Sequence, residues 1–156
     1  MPNEPTTLRN AFKGLGLSLL WLTGCHLAPN GRSHSPAIVG AWIVRAPEAP
    51  FPLHMFVFHS DGTVQQSNPD AGDPSTSDSN LMGVWLPDGD GFRGKVVEIT
   101  ADRTTHQYVG RDEISFALKV SGNTFSGTAS AQFYDAKGQQ IGRPRQARLE
   151  GERVLP

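Results

Sequence analysis

The stretch TFSGTASAQFY, beginning at Thr124, alternates polar and apolar residues without a break. Its odd positions are Phe125, Gly127, Ala129, Ala131 and Phe133, and its even positions are Thr, Ser, Gln and Tyr. Period two belongs to an extended strand with one face on a core, and a register slip would expose the whole apolar set. The same rhythm runs from residue 37 to the end of the chain. AIVGAWIVRA (37–46), FPLHMFVFH (51–59) and TVQQS (63–67) come first, then LMGVWLP (81–87) and FRGKVVEITA (92–101). THQYV (105–109), EISFALKV (113–120), the Thr124 stretch and a closing segment ending ARLEGERVL complete it. Asp-Gly and Ser-Gly-Asn steps separate these runs and mark hairpins, because those residues tolerate positive φ. No segment after residue 37 keeps a helical period over three turns. About eight antiparallel strands in chain order predict an all-β, up-and-down barrel, with a sandwich as the alternative.

The amino terminus follows different rules. Arg9 and Lys13 precede a short apolar run, Leu15 to Leu22, well under the roughly 20 residues that span a bilayer. The run ends in Leu22-Thr23-Gly24-Cys25, and Cys25 is the single cysteine of the 156-residue chain, so no internal disulfide forms. These four residues resemble the lipobox of bacterial lipoproteins. The resemblance implies cleavage before Cys25, acylation of its sulfur and amine, and a membrane as partner through that anchor. Several acyl chains hold a protein stably where one does not. His26 stands where an aspartate commonly retains such proteins in the inner membrane, so the resemblance places this one in the bacterial cell envelope, at the outer membrane if there are two. Residues 25–36, rich in Pro, Asn, Gly and Ser, suit a flexible tether. The division is therefore 1–24 signal peptide, 25–36 linker and 37–156 barrel.

Gly40-Ala41-Trp42 opens the first predicted strand, and Arg148 and Arg153 lie in the last. This resembles the lipocalin or calycin arrangement, in which a G-x-W begins strand one and an arginine of the final strand stacks on the tryptophan. The resemblance implies a structural plug of Trp42 with Arg148 or Arg153, held by cation–π contact and hydrogen bonds. A T-D-Y motif and a helix after the last strand are absent, so the likeness is to a compact calycin-like barrel.

Chemistry is harder to find. A formal net charge of −1 without a polybasic block argues against nucleic acid. No motif for a cofactor is present. The loop SNPDAGDPSTSDSN (67–80) carries Asp70, Asp73 and Asp78, but its spacing fails the calcium-loop register, so no metal site is assigned. His59, Ser60 and Asp61 are consecutive, whereas a triad converges from separate elements. Polar residues in apolar company remain: His54 beside Phe58, Glu98 inside VVEIT, and His106 with Tyr108. The inward set of the Thr124 stretch is large at both ends and small at Ala129, which leaves room for a facing aromatic or a ligand. His54, Phe58, Glu98, His106, Tyr108 and Ala129 are thus the candidate ligand-binding residues. The expected function is a lipid-anchored envelope protein whose barrel binds a small apolar or amphipathic molecule. The alternatives are a proton-transferring isomerase or cyclase and a structural lipoprotein with a filled barrel.

Overall fold

A computed structural model describes residues 35–67 and 74–156 of the chain. The lipobox, Cys25, most of the linker and the centre of the acidic loop lie outside the described residues. Nine strands follow one another: β1 (Gly40–Arg45), β2 (Leu53–Phe58), β3 (Thr63–Ser67), β4 (Thr76–Asp78), β5 (Leu81–Asp88), β6 (Gly91–Asp102), β7 (Tyr108–Ser121), β8 (Thr124–Asp135) and β9 (Gln140–Arg153). All ladders are antiparallel. β1 pairs with β2, β2 with β3, β3 with β5, β5 with β6, and so on to β9, which returns to β1. Eight strands therefore close an up-and-down barrel, and the three-residue β4 extends the far end of β6. Closure removes the free edges that an open sheet would expose. All nine strands and every residue of the described core lie within the compact unit His34–Pro156.

Two runs in the sequence merge into one strand. Residues 105–109 and 113–120 were expected as separate segments, but β7 runs unbroken from Tyr108 to Ser121. Its start is set by a tight turn, in which Asp102 Oδ1 accepts from Thr104 N at 2.9 Å and Thr105 N at 2.6 Å. His106 takes φ 58° in that turn, the αL conformation in which turns are made.

The alternation of β8 is realised, with Phe125 and Ala129 buried on the inner face. The apolar ambiguity of LHMFVF resolves with Phe56 and Phe58 inside and Leu53 and Met55 exposed. Aromatic rings fill one half of the interior. Phe58 meets Trp85 and Phe116 edge-on at 6.3 and 5.9 Å, while Trp42 tilts against Phe125 at 5.0 Å. Glycines make this closeness possible. A Cβ on Gly151 would lie 2.2 Å from the Phe125 ring, and one on Gly127 would lie 2.1 Å from the Ala117 carbonyl oxygen.

Trp42 closes this end of the barrel. It is fully buried, and its indole Nε1 donates to Ile38 O at 2.8 Å. The Arg153 guanidinium lies 4.1 Å over the indole ring and donates to Val39 O at 2.8 Å and also to Ala37 O. Arg148 takes no part: it points outward from β9 and pairs with Glu48 at 2.9 Å. The reason is parity, since inward positions of β9 run through Leu149, Gly151 and Arg153. Truncating Trp42 to Ala removes a large buried ring and leaves a void, so chemical denaturation of Trp42→Ala should show a loss of about 3–5 kcal/mol.

Candidate functional site

Beyond the packed aromatic half, the barrel interior opens into a cavity of about 460 Å³. Its wall is apolar, formed by Phe56, Leu81, Ile114, Phe116, Ala129 and Ala131. The small residues of β8 create it. Phe116 stands opposite Ala129, and Ile114 opposite Ala131, so a large side chain on β7 faces a methyl group on β8. Gly127 is not part of the wall, because Leu118 and the β7 backbone already occupy the space beside it.

Polar groups gather at one part of this cavity. His54 comes from β2, Gln66 from β3, Asp78 from β4, Glu98 from β6, Asp112 from β7 and Arg145 from β9. Glu98 and Asp112 are cross-strand partners and their carboxyl groups hydrogen-bond to each other. Burial first, and then the neighbouring carboxyls of Asp112 and Asp78, push Glu98 up to about 8. Burial also raises Asp112, to about 6, while its hydrogen bond from Glu98 pulls the other way. The pair therefore keeps a proton near neutrality, and Glu98 is the side that carries it. Glu98 retains only 8% exposure, and its Oε2 has no hydrogen-bond partner among the described residues. A buried acceptor left in this state costs free energy until a donor reaches it.

His54 has its affinity for a proton lowered by burial, with a hydrogen bond to the Phe51 backbone opposing. Gln66 Nε2 lies 3.3 Å from His54 Nδ1, so a neutral ring accepts there. Arg145 lies over the Phe133 ring at 5.1 Å. Arg145 pairs in register with Ala131, and the register shifts only beyond it, where β9 carries additional residues including Gly142 at φ 65° and Pro144. A bulge re-aims side chains beside a cavity and accommodates a proline that cannot serve a ladder. The β1–β2 loop borders the cavity through Ala46 and Ala49. Glu48 Oε2 accepts from Arg148 N at 3.1 Å and ties that loop to β9.

Of the expected ligand-binding residues, the structure brings His54, Glu98 and Ala129 to the cavity. Phe58 belongs instead to the packed aromatic cluster, at 1% exposure. His106 sits in the exposed β6–β7 turn, and Tyr108 follows it on the outside at 42% exposure. His106 lies in the turn before β7, and Tyr108 opens β7 where the β6–β7 register shifts between Thr100 and Ala101, so the alternation does not carry it inward. Asp112, Gln66 and Arg145 were not singled out. Asp112 was legible: counting back by twos from Phe116 through Ile114 reaches it. Arg145 was legible too: counting back by twos from Leu149 through Ala147 reaches it. Among the described residues, no three His, Cys, Asp or Glu side chains stand as a metal's ligand set. Comparisons with protein-family models, curated proteins and solved structures give no match.

The raised carboxyl makes a signed prediction. Between pH 4.5 and about 8 the folded chain holds a proton on Glu98 that the unfolded chain has released. That contribution is fully present below 4.5 and is lost as pH rises through about 8. His54 acts oppositely, its contribution being present above 6.5 and lost on acidification. Comparison with Glu98→Gln isolates the first effect. The melting temperature of the wild type, relative to that variant, should fall as pH rises across this range. Parallel melting profiles would show that Glu98 ionises normally.

Proposed function

We propose that this protein is a lipid-anchored envelope protein whose barrel binds a small amphipathic molecule. The observation that carries the binding reading is the cavity of about 460 Å³, apolar along its wall and polar at one part. Ligand sites of this kind enclose roughly 300–1,000 Å³ and hold few, placed polar groups. A filled structural barrel is a poorer account of a cavity this large. The anchor and the outer-membrane address rest on the lipobox resemblance at Cys25, and the calycin likeness on Gly40-Ala41-Trp42 with Arg153 stacked on the indole.

A second reading, proton-transfer catalysis, is favoured by one feature, a carboxyl that titrates near neutrality beside a cavity. The two readings share the site and differ in whether the ligand leaves changed.

Two measurements test the proposal. Changing Cys25 to Ser should move the protein from the membrane fraction to the soluble one, and a variant that still pellets removes the anchor. Native mass spectrometry of the barrel should show a small-molecule adduct that Ala129→Leu reduces or abolishes. The same variant should melt at or above the wild-type temperature, because leucine fills space. Overpacking of a filled core would instead cost about 1–3 kcal/mol.

A further inference from the structure

Glu98 lines the cavity, and its Oε2, covered by neighbouring atoms, has no hydrogen-bond partner among the described residues. An occupant that brings an N–H or O–H to this point removes the deficit. The surrounding charges decide which. Asp112 faces Glu98 from β7 and Asp78 from β4, Arg145 lies on β9, and His54 on β2 is disfavoured as a cation by burial. Three carboxyl groups thus stand against one guanidinium, which lies over the Phe133 ring and whose charge also acts on Asp112, while Glu48 at the cavity rim is paired with Arg148. Gln66 contributes an uncharged amide. An anionic headgroup would meet carboxyls on several sides, whereas a cation would meet partners.

We propose that the polar part of the cavity recognises the protonated amine of an alkyl or arylalkyl ammonium, whose hydrocarbon lies along the Phe56, Phe116 and Ala129 wall. This rests on the cavity being a binding site, and it names the chemical class of the occupant. The ammonium carries three donors, enough for the Glu98 and Asp112 carboxyl groups together. Its charge replaces the proton shared by the two carboxyls. That proton leaves to solvent as the ammonium enters, and no covalent bond of the ligand changes. Binding therefore releases a proton where Glu98 starts neutral, and the affinity rises with pH until Glu98 is already ionised. Charge-assisted hydrogen bonds in a covered site are the stronger kind, so discrimination by headgroup follows.

Octylamine, octanol and octanoate share one hydrocarbon chain and differ in headgroup, which makes them the probes. Calorimetric titration of residues 34–156, the compact unit that holds every strand, is made at about pH 6 and about pH 8, near the two carboxyl midpoints. Octylamine should bind about tenfold or more tightly than octanol, with octanoate weakest. At the lower pH its binding heat should vary with the ionisation heat of the buffer, which reports the released proton. Glu98→Gln should bring octylamine to the level of octanol and abolish the pH dependence. Asp112→Asn provides the same reading should the first variant fail to fold. Equal binding of octanol and octylamine, or an amine preference that survives both substitutions, overturns the ammonium assignment and leaves the binding cavity standing. If none of the three binds, the cavity reading falls and this inference with it.

Discussion

Closure of the sheet is the constraint on which the rest depends. A strand order in which β9 returns to β1 satisfies both neighbours of every barrel strand and encloses an interior. What fills that interior differs from one end to the other. Trp42, Phe58, Trp85 and Phe125 pack one half, with ring centroids about as close as aromatic pairs prefer. Arg153 spans the β1–β9 seam at this end, stacked on the indole while donating to carbonyls of the chain before β1. The final strand is thereby fastened to the first by side chain as well as by ladder.

The other half is left open by the same sheet. Its small strand residues are Ala129 and Ala131 on β8 and Ala147 on β9, and the side chains of β7 beside them, Phe116 and Ile114, do not cross the gap. A rigid closed wall cannot collapse onto such a void as a loop could, so the space persists. Polar residues border it on five barrel strands, β2, β3, β6, β7 and β9, and on β4. Burying Glu98 and Asp112 side by side is costly for two anions, and a shared proton lowers that cost. The void and the proton-holding pair are two consequences of one architecture, and they point to an occupant.

Much of the barrel was legible from residues alone. Period two in β8 and β1, broken by Gly-containing turns, yields strands whose inward faces need no further information. Trp42 and an arginine of the final strand were legible as partners because a known arrangement carries them. The candidate site was legible at His54, Glu98 and Ala129, where a polar or small residue interrupts an otherwise apolar inward face. Arg145 was legible by the same parity, four residues before Leu149, because the bulge in β9 lies on its amino-terminal side. It was not legible at His106, which lies in the aspartate-capped turn, nor at Tyr108, where β7 begins on the far side of a register shift with β6.

The sequence by itself determined the fold class and which face of β8 is inward, because alternation is a local property set by the two-residue pleat. Only the tertiary structure decided that Glu98 meets Asp112, that Arg148 lies outside while Arg153 lies inside, and that Ala129 faces space. These depend on which residue of one strand stands opposite which residue of the next. Register across strands is a relation between distant segments, and no period within either segment encodes it.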